Sequence, residues 1–96
     1  MAALLAHAEV DRALGGLPGW RRDGDTLVRD VEVADFLAAV DLVNRVAPVA
    51  EAAGHHPDVL IHGYRHVRLT LATHSAGGLT QLDLDLAAAL AAEVGG

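Results

Sequence analysis

Three histidines and the carboxylates of Glu51 and Asp83, all able to take part in proton transfer near neutral pH, are gathered into two short segments of this 96-residue chain. The first is Glu51-Ala-Ala-Gly-His55-His56-Pro57-Asp58. The second is Thr73-His74-Ser75-Ala76-Gly77-Gly78-Leu79-Thr80, with Asp83 just beyond. An imidazole with an ordinary pKa of about 6.5 has both protonation states available at pH 7, so it serves as acid or base. A neighbouring carboxylate orients the ring and stabilises its cation. A positioned acid or base of this kind typically contributes roughly 10²–10⁴-fold to a rate. Each group also has a plainer reading. His55-His56-Pro57 can be a polar turn after a helix, Thr80 an N-cap and Asp83 its capping-box carboxylate.

The elements that would carry these segments are legible from periodicity. Ala3 to Leu14 reads as a short helix with apolar Leu4, Leu5, Ala8 and Leu14, stopped by Gly15-Gly16-Leu17-Pro18-Gly19. Trp20 to Arg22 and Thr26 to Glu32 flank Asp23-Gly24-Asp25, a hairpin signal. From Asp35 to Ala53, Phe36, Ala39, Val40, Val43, Ala47 and Ala50 recur at helical spacing. Asp41, Asn44, Arg45 and Glu51 lie toward the other face. Pro48 should kink or split this helix, and Gly54 should end it. Strands follow at Val59 to His62 and Tyr64 to Thr73, with Gly63 as a bend or bulge between them. A final helix runs from the Thr80 cap to Glu93, marked by Leu82, Leu86 and Leu90. The order α-β-β-α-β-β-α predicts an α+β fold, an antiparallel sheet with helices packed on one face. The strand at Trp20 and the one at Val59 to His62 are the candidate sheet edges. Trp20, Phe36 and Tyr64 read as packing residues, and His62 and His66 as surface histidines.

Composition narrows the function. A single domain over residues 1–96 buries roughly two thirds of its unfolded surface. With 52% hydrophobic but only 3% aromatic residues, its core must be built from Ala, Val and Leu. The absence of cysteine excludes a disulfide framework and a thiolate zinc site. No histidine spacing suggests a metal site either, so no metal is expected. A formal charge of −6, with no lysine and seven scattered arginines, argues against a nucleic-acid surface. There is no secretory leader pattern and no apolar run of about 20 residues, so no membrane association is expected and the cytoplasm is the expected location.

The same residues carry a family resemblance. His55-His56-Pro57, Tyr64 ten residues before His74, and Thr73 to Thr80 leading to Asp83 together resemble the pterin-4a-carbinolamine dehydratases. Gly19-Trp20, Asp35-Phe36 and Glu51 extend the match over nearly the whole chain. The resemblance implies a four-stranded antiparallel sheet backed by helices, assembled as a homodimer or homotetramer. It also implies a hydro-lyase that expels water from a 4a-hydroxytetrahydropterin to give the quinonoid dihydropterin, with a small-molecule pterin as substrate and no cofactor. In this likeness His55 and His74 form the acid/base pair, and His56, counted with them as catalytic, mainly positions the substrate. Pro57, Ala72 and Thr73 contact the pterin, the strand around Ala72 and Thr73 through its main chain, and Glu51 and Asp83 are carboxylates that orient a histidine or anchor the pterin. One departure is a six-residue spacing, Asp58 to Gly63, between the proline and Tyr64, where the familiar form has five. The alternative the resemblance carries is a non-catalytic assembly or dimerisation-cofactor module, with a protein partner on a helix face.

Overall fold

The computed structural model describes residues 3–95. Its four-stranded antiparallel sheet is built from β1 (Trp20–Asp23), β2 (Thr26–Glu32), β3 (Asp58–His62) and β4 (His66–Leu71), in the spatial order β1-β2-β4-β3. β1 and β2 form a tight hairpin in which Asp23 and Thr26 pair across Gly24-Asp25. The centre of the sheet is β2 against β4, running from Leu27↔Leu71 to Glu32↔His66. Both strands named as candidate edges, β1 and β3, are edges.

Alternation along the strands divides the sheet into two chemically different faces. Trp20, Leu27, Val67, Leu69 and Leu71 point to one side and are buried against Val10, Leu42, Val46, Leu86 and Leu90 of the helices. Trp20 is therefore a core residue. On the other side the Asp30 carboxylate takes two hydrogen bonds from Arg68, at 2.7 and 3.1 Å, and one from Arg21 at 2.9 Å. His62 and His66 stack on that same face with ring centroids 5.4 Å apart.

The helices are α1 (His7–Ala13), α2 (Phe36–Ala53), α3 (Gln81–Ala89) and α4 (Ala91–Val94). α1 is shorter than its apolar pattern predicts, because the Glu9 carboxylate takes the Ala6 N–H and starts the helix there. Just before it, Leu5 N–H donates to the Leu79 carbonyl at 2.9 Å. α2 begins on Asp35, whose side chain accepts from Ala38 N–H at 2.8 Å. Pro48 does not split it. Pro48 and Asn44 both lie on the exposed side, where water can satisfy the carbonyl that the missing N–H leaves free.

Which stripe of α2 meets the sheet differs from the expectation. Ala39, Leu42, Val46 and Ala50 are buried, whereas Phe36 is 53% exposed and Val40 36% exposed. The helix is apolar around most of its circumference, so its periodicity admitted two stripes and sheet geometry chose one. The last helix also departs from the single run to Glu93, breaking at Leu90 into α3 and α4. Leu82 is exposed rather than core, whereas Leu86 and Leu90 are buried as their spacing predicts, and Leu84 is buried beside them.

Tyr64 is likewise exposed, and β4 starts at His66 rather than at Tyr64. The His62↔His66 pair closes a three-residue turn in which Gly63 and Tyr64 both adopt left-handed backbone, at φ +53° and +52°. The additional residue thus lengthens a hairpin tip and makes no bulge in a strand. That tip lies at the opposite end of β4 from His74, roughly 20 Å away at a strand rise of about 3.3 Å per residue.

The Asp30 cluster leads to an acid-stability prediction. Hydrogen bonds from Arg68 lower its pKa from 3.8 to about 2, with Arg21 adding to the effect against the cost of burial. Its folded-state value lies below the unfolded one, so the cluster stabilises the fold above about pH 4, and this is lost as pH falls toward 2. Solvent screening limits the effect to about 1 kcal/mol. Asp30→Asn should lower the melting temperature slightly at pH 7, and the difference from wild type should vanish near pH 2 in thermal melts. A difference unchanged with pH would contradict the assignment.

Candidate active site

Three chain segments converge at one end of the sheet. Gly54, left-handed at φ +63°, caps α2 through the Ala50 and Glu51 carbonyls and turns the chain so that His55 and His56 follow at once. β4 ends at Leu71 and delivers Thr73 and His74 into a tight loop. There Thr73 N–H donates to the Gly78 carbonyl at 2.9 Å, and the Thr73 carbonyl accepts from Ala76 and Gly77 at 3.0 Å each. The first turn of α3 then supplies Asp83, held by the Thr80 capping box.

Asp83 joins all three segments although it is completely buried. Its Oδ2 accepts from the Thr80 backbone N–H at 2.9 Å and from the Thr73 hydroxyl at 2.8 Å. The Thr73 proton is committed to Asp83, so at the 2.8 Å contact between the two hydroxyls Thr80 donates to Thr73. Thr80 Oγ1 in turn accepts from Leu82 N–H at 3.2 Å. Asp83 Oδ1 lies 2.6 Å from His55 Nε2. With two donors already on Oδ2, the carboxylate acts as acceptor at Oδ1 as well, which assigns the hydrogen to Nε2. Nδ1 of His55 has no hydrogen-bond partner among the described residues.

His55 lines an open cleft of about 370 Å³ together with His56, Ala72, Thr73, His74 and Leu82. The exposure of Leu82 has its reason here, since it forms part of the cleft wall. His74 reaches the cleft from an exposed turn, and its ring is unpartnered among the described residues. The backbone of Ala72 also makes no hydrogen bond among them, whereas that of Thr73 is spent inside its own loop. Of the two main-chain positions expected to face a ligand, only Ala72 is free to do so.

The remaining sequence-selected residues lie elsewhere. Glu51 pairs with His56, Oε1 to Nε2 at 2.8 Å, with both side chains mostly in solvent. Glu51, Pro57 and His56 border a separate hollow of about 160 Å³, walled by Val46, Ala50 and Val59 between α2 and β3. Asp83 is buried and both its oxygens are occupied, so of its two expected roles, orienting a histidine or anchoring the pterin, the geometry fits the first, on His55. Sequence reading missed the Thr73 hydroxyl, which joins Asp83 to the Thr80 hydroxyl and completes this network. The Thr80–Asp83 capping signature was its visible half. Among the described residues no group of three or more histidine, aspartate or glutamate side chains is placed to hold a metal ion, and no helix is long and apolar enough to cross a membrane.

Comparison with known proteins places this arrangement. The profile of the pterin 4 alpha carbinolamine dehydratase family matches residues 3–92. The chain belongs to this family. A Nocardia farcinica relative is 54% identical over 84 residues, covering 88% of this chain and 87% of its own. One from Roseiflexus castenholzii is 51% identical over 88 residues, covering 92% and 94%. Both carry the name pterin-4-alpha-carbinolamine dehydratase as a provisional assignment. The crystal structure of a transcriptional coactivator/pterin dehydratase from Brucella melitensis superposes with a TM-score of 0.84 at 34% identity, covering 94% of this chain and 97% of that one. A pterin dehydratase-like protein identified as a RuBisCO assembly factor of the alpha-carboxysome shares the fold, with a TM-score of 0.64 at 22% identity over 80% of this chain and 90% of its own.

The buried carboxylate sets a stability prediction. Asp83→Ala strands the Thr80 N–H, the Thr73 hydroxyl and His55 Nε2, and should cost roughly 2–4 kcal/mol. Thr73→Val removes one donor and should cost about 1 kcal/mol. Urea unfolding at pH 7 measures both, and an Asp83→Ala loss under about 1 kcal/mol would mean that the network holds little together.

Proposed function

We propose that this chain dehydrates a 4a-hydroxytetrahydropterin to the quinonoid dihydropterin and water. The observation that carries the reading is the cleft itself, where imidazoles from two separate loops border one space and the best ordered of them is fixed by a buried carboxylate. Family membership over residues 3–92 supports it.

Loss of water needs two proton transfers. The C4a–O bond breaks as a proton reaches the leaving hydroxyl, and the N5–H proton departs while its electron pair forms the C4a=N5 bond. His55 and His74 carry these transfers. His55 works through Nδ1, because Asp83 holds Nε2 and stabilises the imidazolium whenever the ring is charged. Asp83 is thus a positioning residue. His56, tethered to Glu51, orients the substrate, and the free N–H and C=O of Ala72 match the amide edge of a pterin ring.

Purified protein should accelerate carbinolamine breakdown, followed by the absorbance of the quinonoid product. His55→Ala and His74→Ala should each lower kcat by about 10²-fold, and His56→Ala should mainly raise KM. Wild-type protein without activity, or a double His55→Ala, His74→Ala variant at the wild-type rate, would overturn the assignment.

The second reading, an assembly module, draws on the exposed stripe of Phe36, Leu37 and Val40 along α2, with Leu37 78% exposed. A surface this apolar on a small chain suits burial against another subunit. We propose that it serves a homo-oligomer, dimer or tetramer. Leu37→Glu should shift sedimentation equilibrium toward monomer, and a monomeric wild type would refute the interface. Stoichiometric capture of one partner by wild type but not by Leu37→Glu, without pterin turnover, would favour the module over the enzyme.

A further inference from the structure

The open face of the sheet carries a second pair of histidines, remote from the cleft. His62 and His66 oppose each other directly where β3 meets β4, and their rings lie side by side with centroids 5.4 Å apart and planes 25° from parallel. His62 is exposed and His66 half-buried, and neither ring hydrogen-bonds to another described residue. The backbone fixes the pair. The left-handed turn at Gly63 and Tyr64 sets the strands in register, Arg65 N–H donates to the Gly63 carbonyl at 2.7 Å, and the Arg65 carbonyl accepts from Val33 N–H at 2.9 Å, which ties the tip to the end of β2. A Cβ at Gly63 would lie 3.1 Å from Cδ2 of His66, so glycine leaves room for that ring.

Two free imidazoles at this separation have the spacing of a chelate. Zinc and copper both take imidazole nitrogen. On one tetrahedral zinc, with Zn–N bonds of about 2.0–2.1 Å, two imidazoles hold their ring centres roughly 5 Å apart. The observed spacing is close to that, and the broad χ2 torsion of each ring can turn a nitrogen toward the gap. Because the hairpin holds both rings in place beforehand, little freedom is lost when an ion joins them. Glu32 stands next in the row, opposite His66 on β2, but its carboxylate is engaged by Arg65. The pair therefore supplies two ligands and water the rest. The nearby guanidinium groups of Arg65 and Arg68 are neutralised by Glu32 and Asp30, and a chain of formal charge −6 attracts a cation.

We propose that His62 and His66 chelate a divalent transition-metal ion, zinc or copper, in a site that pins β3 to β4. Spacing along the chain conceals it, because the two ligands meet across a turn. The site lies at the opposite end of β4 from His74 and is independent of the dehydratase reading.

Two titrations of protein made without an affinity tag test this, one with zinc chloride followed by calorimetry and one with copper(II) chloride followed by the amide NMR signals. Wild type should bind zinc, and copper should broaden the signals from Ile61 to Val67 first. Saturating zinc should raise the melting temperature, since only the folded hairpin brings the two rings together. His62→Gln and His66→Gln should each weaken zinc binding at the tip roughly tenfold or more, and the double variant should lose the thermal gain. Both positions are on the solvent side of the sheet, and the melting curve without metal checks that the variants fold. A wild type that takes up no zinc, copper broadening centred on His55, His56 and His74 with none at the tip, or a double variant that gains as much from zinc as wild type would each overturn the site.

Discussion

The site depends on one buried carboxylate. Asp83 is fully buried, where a carboxylate is tolerated only when several donors reach it. Its donors come from three parts of the chain: the His55 ring after α2, the Thr73 hydroxyl after β4, and the Thr80 backbone that opens α3. Because the cost of an unmet carboxylate is high, these segments are locked in mutual register. The helix cap and the orientation of His55 are therefore one structural event seen from two sides.

The rest of the fold serves that convergence. The sheet keeps its apolar face for the helices and its ionic face for solvent, so β4 lies at the centre of the sheet and its C-terminal end is held by both neighbours. A histidine carried just beyond such a strand sits on a rigid base while its ring remains in water. His55 and His74 consequently differ in their surroundings, one ring half-buried and tethered, the other exposed and unpartnered. Two imidazoles in unlike environments fit the proposed dehydration, which must deliver one proton and remove another. The assembly factor at 22% identity shows how far the sequence can diverge with the fold retained. A fold by itself does not decide function.

Much of this was readable before any coordinates. The Asp-Gly hairpin, the alternation of Val67, Leu69 and Leu71, the Thr80 cap and the Gly54 stop are local signals, each fixed by neighbours within a few residues. Element order and α+β class follow from them. The two histidine segments were equally visible, because chemistry of this kind depends on residue type. What local pattern could not decide was direction. α2 carries two apolar stripes, and only the sheet determines that Leu42 and Val46 face inward while Phe36 and Leu37 face out. The last helix likewise offered Leu82 as core, and its true place is on the cleft wall.

Sequence by itself determined the elements, their order and the set of ionisable groups, since propensity, capping and periodicity act over a turn or a strand pair. Only the tertiary structure decided who partners whom. It gave Glu51 to His56 and Asp83 to His55, withdrew Asp83 from the cleft, spent the backbone of Thr73 on its own loop and brought Asp25 up against Gly78. These pairings join residues distant along the chain, and they are set by how the helices pack onto the sheet, a global balance of burial that no short window of sequence contains.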